Sequence, residues 1–272
     1  MQKYSFLMSV YYKEKPEYLD LSIQSMLNQT VKPNEIIIVK DGKLTDELDK
    51  VIDKYVNNNK KLFTVISLEK NVGLGLALNE GIKKSRNELI ARMDSDDMCK
   101  TDRCEKQLKV FEDNEKLSIC GTNIDEFKDN IDNIVGHRVV PEKNDDIYKF
   151  SKRRSAFNHP TVMYKKSVVL KNNGYANLRR NQDVDLFGRM IFSGCTAYNI
   201  QESLLWFRSD ENLAKRRKSW ENTKSYINTI KKFWKMGFSS FTDYLFVLFG
   251  QTVMFICPVK VQKLLYKKFL RE

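Results

Sequence analysis

The chain reads as an α/β protein, a doubly wound, mostly parallel sheet carrying a helical extension. Three observations predict this. Short apolar runs alternate with helical spacings through the first 93 residues. Acidic turns follow the ends of two of those runs. Beyond residue 210 the composition becomes basic and aromatic.

"YSFLMSV" (4–10) and "EIIIV" (35–39) are rich in β-branched or aromatic residues, as buried strands require. Between them Leu19, Ile23 and Met26 recur at helical spacing. Leu48, Val51 and Tyr55 mark a second helix, "LFTVISL" (62–68) a strand, "LALNEGIKKS" (76–85) a helix and "ELIARM" (88–93) a strand. Strand and helix in strict turn argue for a parallel sheet. After residue 100 the pattern loosens. Cys104, Leu108 and Phe111 predict a helix started by Thr101, "SICGTNIDEF" and "HRVV" two strands, and "QDVDLFGRMIFSG" a helix ended by Gly194.

The 272 residues carry a net charge of +12. Residues 211–272 hold 13 Lys and Arg against 4 Asp and Glu, so the body is nearly balanced and the tail carries the charge. No nucleic-acid reader motif accompanies it, so nucleic acid is not the expected partner. Five cysteines without a CxxC pair, and two histidines, indicate neither a disulfide framework nor structural zinc, in keeping with a reducing cytosol. The N-terminus reads as a first strand rather than a signal peptide.

In such sheets ligands bind beyond the carboxyl ends of the strands. "DSDD" (94–97) follows one such end and Asp41-Gly42 another, so both acidic turns are expected to face one crevice. Three carboxylates in four positions suit a hard divalent cation that bridges to phosphates. A solvated helix start capped by Asp97 is the other reading of that turn, and an ordinary Asp-Gly turn the other reading of Asp41.

From Phe6 to about Arg217 an ordered series of segments resembles family 2 glycosyltransferases of the GT-A fold: "SVYYKEKPEYLDLSIQSMLNQT", "EIIIVKDG", "NVGLGLALNEGI", "ARMDSDD", "FNHPTVMYKKSVV" and "NQDVDLFGRM". The resemblance implies a nucleotide-sugar-binding half (1–97), an acceptor-binding half (98–210) and a basic, amphipathic extension (211–272). It places Val10, Tyr11, Asp41, Asn71, Gly73, Asp94 and Ser95 on a UDP-sugar, with Asp41 on the uracil edge. Asp96, with Asp94, would hold Mn²⁺ or Mg²⁺. Asp183 would be the base, with Gln182 standing where the family usually has a glutamate. His159, Gln182 and Arg208 would shape the acceptor side, and Arg216 and Arg217 either meet phosphate or belong to a solvated basic face. For Asp183, a position in the first helical turn suits an ionised base or a plain cap. Asp185 is the rival, but lies roughly 200° around the helix.

The implied activity is inverting transfer of a hexose, with a lean to galactose or glucose, to a polyprenyl-diphosphate-linked saccharide in bacterial capsule or exopolysaccharide assembly. "DYLFVLFGQTVMFICPV" (243–259) falls short of the ~20 apolar residues a bilayer span needs. Lys231, Lys232 and Lys235 precede it and Lys260, Lys263, Lys267 and Lys268 follow. An interfacial anchor on an anionic membrane, at its cytoplasmic face, fits this pattern. Docking on the enzyme's own core, or on a second subunit in a homodimer, is the alternative. A sugar-nucleotide nucleotidyltransferase and a non-catalytic nucleotide-sugar or lipid-binding protein are the other functional classes; "SVYYKEKPEYL" lacks the Gly-rich loop of the former.

Overall fold

The structure is a computed structural model that describes residues 2–209 and 219–257. In chain order the elements are β1 (Tyr4–Val10), α1 (Pro16–Leu27), β2 (Glu35–Lys40), α2 (Asp46–Asn58), β3 (Phe63–Ser67), α3 (Leu74–Lys84), β4 (Leu89–Arg92) and β5 (Met98–Cys99). There follow α4 (Arg103–Asp113), β6 (Leu117–Lys128), β7 (Asn130–Arg138), α5 (Asn144–Ser151), a 3₁₀ turn (His159–Thr161), β8 (Met163–Lys165) and α6 (Lys166–Lys171). The last are α7 (Gln182–Phe192), β9 (Thr196–Arg208), α8 (Trp220–Lys235) and α9 (Phe241–Ile256).

Among the described residues one sheet runs β3-β2-β1-β4-β8-β6-β9-β5, with β7 paired to β6. The strands β3, β2, β1 and β4 are mutually parallel. Beyond β4 the sheet turns mixed: β8 is antiparallel to both β4 and β6, β9 runs parallel to β6, and β5 is antiparallel to β9. The predicted parallel character therefore belongs to the first half.

Period-two alternation sends side chains to two cores. Phe6, Met8, Ile36 and Ile38 enter the layer formed with α1, α2 and α4, while Leu7, Ile37 and Val39 enter the layer formed with α3, α7 and α8. Both faces of the strands are covered, which is why they read as continuous apolar runs. Buried Glu35 at the start of β2 is satisfied by Arg86, Ser5 and Thr64 at 2.7–2.9 Å. A Cβ on Gly188 would lie 2.1 Å from the Phe233 ring, so only glycine lets α8 approach α7 this closely.

α9 docks on α8 with Tyr244 stacked on Trp234 and Val247 buried, and leaves Phe241, Leu245, Phe246, Phe249 and Ile256 exposed. The own-core alternative is thus realised on one face of the helix only. No helix among the described residues is long and apolar enough to cross a membrane. Arg216, Arg217 and the lysines from Lys260 onward lie outside the described residues.

Candidate active site

Since β2, β1 and β4 are parallel neighbours, their carboxyl ends open on one side of the sheet. The backbone N–H of Asp41 donates to the Val10 carbonyl at 2.8 Å, and β4 runs out at Arg92 two residues before Asp94. Tyr11 and Tyr12 stand exposed beyond β1, with rings 6.0 Å apart. The two acidic turns thus lie at the same edge of the sheet, at the carboxyl ends of the strands on either side of β1.

Asp94, Asp96 and Asp97 bring carboxylate oxygens within 4.8 Å of one another. Asp97 is fully buried; Oδ1 accepts the Arg208 backbone N–H at 2.8 Å, and Oδ2 has no hydrogen-bond partner. Its pKa is raised well above the carboxylate range, first by burial and then by the charges of Asp96 and Asp94. An all-oxygen cluster with an orphaned buried oxygen fits a hard divalent cation. Asp97 does not cap the next helix, because β5 follows it and α4 begins only at Arg103. It joins the two expected ligands, Asp94 and Asp96, as a third carboxylate.

The turn is braced on both sides. Arg208 donates from Nε to the Asp96 carbonyl at 2.9 Å, and its guanidinium lies 3.7 Å from the Tyr18 ring centre and 4.6 Å from that of Phe127. The residue expected on the acceptor side is therefore placed against the acidic corner. Ser95 donates from Oγ to Glu14, which comes from the loop after β1. Ser22 of α1 donates to the Asp94 carbonyl at 2.8 Å.

Asp41 is buried and spends its carboxylate on the entry to α3. Oδ1 accepts from the Val72 N–H at 2.7 Å, and Oδ2 from the Gly73 N–H at 3.1 Å and Asn71 Nδ2 at 3.0 Å. Gly73, at φ +91°, takes a backbone conformation that strains other residues. Asp41, Asn71 and Gly73 therefore form one unit that ties β2 to the "NVGLG" loop. Oδ1 accepts one bond there, and an ionised carboxylate oxygen has room for a second.

Asp183 lies half-buried in the first turn of α7. Backbone N–H groups of the helix start lower its pKa, but burial outweighs them and the net shift is upward. The helix terminus alone implied a carboxylate held strongly ionised; its surroundings move it toward neutrality instead. The charges of Arg92 and Arg138 offset part of that rise. The neighbouring Gln182 is buried with Oε1 unpartnered. Asp185 is committed elsewhere, to Arg189 and Lys232, which removes it as a rival base. His159 meets the Tyr175 hydroxyl through Nε2 at 2.8 Å and lies edge-on to Phe187, and burial followed by the charge of Arg92 keeps it neutral.

Arg92 itself escapes sequence reasoning. It is fully buried, pairs through Nη2 with Asp94, and leaves Nε and Nη1 without partners. Its charge reaches Asp97, Asp183, His159 and Tyr175. The signal in the sequence is an arginine ending a strand that is otherwise apolar, one methionine before the acidic turn.

The family profile "Glycosyl transferase family 2" matches residues 5–175. The chain belongs to glycosyl transferase family 2. It is a glycosyltransferase, which sets aside the nucleotidyltransferase and the non-catalytic module. It is 36% identical over 271 residues, 99% of this chain and 97% of the relative, to a UDP-Gal:alpha-D-GlcNAc-diphosphoundecaprenol beta-1,3-galactosyltransferase of Escherichia coli. To the amylovoran biosynthesis glycosyltransferase AmsE of Erwinia amylovora it is 31% identical over 268 residues, 97% of this chain and 98% of that one. Among solved structures, the mannosyltransferase PcManGT from Pyrobaculum calidifontis, in complex with GDP-Man and Mn²⁺, superposes with a TM-score of 0.66 at 12% identity, covering 93% of this chain and 69% of that chain. This family 2 glycosyltransferase thus has the GT-A fold.

Proposed function

We propose that this glycosyltransferase moves a hexose, galactose or glucose, from a UDP-sugar to a hydroxyl of a lipid-diphosphate-linked saccharide, with inversion at the anomeric carbon. The observation that carries the reading is one buried guanidinium shared by both halves of the site: Arg92 pairs with Asp94 of the acidic corner, and its charge acts on Asp183. Full-length similarity to the E. coli galactosyltransferase supports the donor and acceptor classes.

In this reading Asp96 and Asp94, with Asp97 beside them, hold Mn²⁺ or Mg²⁺. When bound, such an ion neutralises charge developing on the departing diphosphate. Asp183 accepts the proton of the attacking hydroxyl, and its raised pKa brings it nearer the working pH, where a general base is most effective. One displacement with one base inverts the centre. Asp41, Asn71 and Gly73 shape the floor on which the nucleoside lies beside Val10 and Tyr11, with Ser95 and Asp94 at its far end. Gln182 and His159 stand on the acceptor side. Residues 1–97 bind the donor and 98–210 the acceptor.

The enzyme works peripherally at the cytoplasmic face of the membrane, held by the exposed apolar face of α9 and the basic extension. Mass-spectrometric detection of product is the test. A GlcNAc-diphospholipid acceptor is incubated with UDP-Gal, UDP-Glc, UDP-GlcNAc or UDP-GalNAc, each with Mn²⁺ or with EDTA. The reading expects one UDP-hexose to give product that EDTA abolishes; product in none of the mixtures, or product indifferent to EDTA, contradicts it.

A further inference from the structure

A groove of ≈ 600 Å³ separates α5 from α9. Four cations line it, Lys149, Lys152, Arg153 and Arg154, against the two carboxylates Asp146 and Asp243. Asp243 is already committed to the Ser240 cap and to Arg153, and Asp146 lies 3.9 Å from Lys149. The groove is therefore electropositive, and aromatic side chains surface it. The Arg153 guanidinium lies 4.9 Å from the Phe246 ring centre and that of Arg154 5.0 Å from Phe150. Cations laid on rings keep their donors directed sideways, a setting suited to an anion at the edge of an apolar phase.

Each rim leads somewhere definite. Outward, Phe246 is shared with the exposed stripe of α9, where Phe246 is 63%, Phe249 73% and Ile256 74% accessible. Buried Asp243 is the one charged residue of that helix. Inward, Tyr226 of α8 donates to the Arg153 carbonyl at 3.1 Å, and the preceding Ser225 donates to the Arg180 carbonyl at 2.8 Å, three residues before Asp183. The chain thus passes from the base, through a tyrosine, to a cationic groove and then to an apolar strip.

Resting on the function proposed above, we infer that this groove seats the diphosphate of the lipid-linked acceptor. Its saccharide then reaches Asp183, and its hydrocarbon chain runs out along α9 into the membrane. A phosphate ester at a membrane surface matches both the charge and the apolar border. Bulk anionic headgroups offer the same chemistry, so the test must separate them from the acceptor.

The double variant Lys149→Gln/Lys152→Gln, the first residue exposed and the second half-buried, is compared with the unaltered full-length chain in neutral detergent micelles. The acceptors are a sugar on a lipid diphosphate and the same sugar on a short neutral alkyl group. Losing two charge-assisted contacts should cut the kcat/KM preference for the diphosphate acceptor by about 10-fold or more. Arg154→Lys, which keeps charge but loses the planar fork, should give a smaller cut in the same direction. An unchanged preference overturns the proposal. So does a cut that appears only with phosphatidylglycerol vesicles, which would assign the groove to bulk headgroups. If the unaltered chain transfers nothing to the diphosphate acceptor, the functional reading falls; normal transfer with an unmoved preference in the variants removes the groove alone.

Discussion

The backbone amide of Arg208 donates to Oδ1 of Asp97 at 2.8 Å, joining the end of β9 to the acidic turn after β4 across 111 positions of sequence. This bond holds a fully buried carboxylate whose second oxygen has no partner, beside two further carboxylates. Such a corner favours a cation. Mn²⁺ at about 100 times its Kd should stabilise the fold by ~2.7 kcal/mol. For a chain of this size that is a rise in Tm of roughly 5–10 °C. Asp96→Asn and Asp97→Asn should each remove at least half of that increment. Equal increments in the variants and the unaltered chain, read by calorimetry, would place the ion elsewhere.

Asp183→Asn removes the proton acceptor and keeps the size of the side chain. Transfer should fall by about 10² to 10⁴, while UDP binding measured calorimetrically stays within error. The pH profile carries a second signature. The pKa of Asp183 is raised by burial, so the base ionises at a higher pH than an exposed aspartate does. Activity should therefore fail on the acid side at a pH higher than an ordinary aspartate would give. An acid limb in the ordinary range would contradict the burial argument.

Arg92 is the positioning residue common to the two carboxylate sites. Arg92→Leu leaves Asp94 without its partner and takes a cation away from Asp183. Asp94 is partly exposed, so Tm should fall, but the loss of stability should be less than the roughly 3–5 kcal/mol that breaking a fully buried pair costs. Arg92→Lys separates stability from chemistry. It keeps a charge, but a single ammonium replaces the fork, so transfer should be reduced while most of the Tm is recovered. Since the cation lowers the pKa of Asp183, any active variant lacking that charge should show its acid limb shifted upward. A limb that stays in place would argue that Arg92 serves the fold alone.

The α9 stripe is best tested by substitution. Phe238 is buried against Phe233, Tyr148 and Phe192, so truncation before it would open the core. Phe246→Ser and Phe249→Ser alter exposed residues, so Tm should hold. If each ring inserts into the bilayer edge, the pair should lower partitioning onto phosphatidylglycerol vesicles by roughly 10²-fold or more, at ~1.5–3 kcal/mol per ring. Co-sedimentation equal to that of the unaltered chain would leave the stripe without a membrane role.

What was legible in the sequence was local. β1, β2 and β4 announce themselves as continuous apolar runs because both their faces are covered, and the helices between them because residues three or four apart share a face. The "DSDD" turn is visible as three like charges in four positions, a setting that suits a hard cation. The period of "QDVDLFGRM" puts Asp183 in the first turn of its helix and Asp185 roughly 200° around from it, with Arg189 one turn on; the pairing of Asp185 with Lys232 of α8 is encoded by no spacing. What stayed hidden depends on partners distant in sequence. Asp41 meets Asn71, Val72 and Gly73 only because β2 and the α3 entry share an edge. Arg92 reads as a strand end until Asp183 comes round on α7. β7 shows little more of itself than "HRVV", because its exposed residues need no apolar period. The upward shift of Asp183 arises from burial between elements, which no spacing encodes.

The central claim is that a divalent ion at Asp96 holds the diphosphate of a UDP-sugar at the carboxyl edge of the sheet, within reach of Asp183. A crystal structure of the full chain with UDP and Mn²⁺ tests it most directly, since anomalous scattering locates the metal. The account predicts an anomalous peak at the oxygens of Asp94, Asp96 and Asp97 with the diphosphate beside it and the uracil near Asp41. A nucleotide bound elsewhere, with no peak at those three carboxylates, would contradict it.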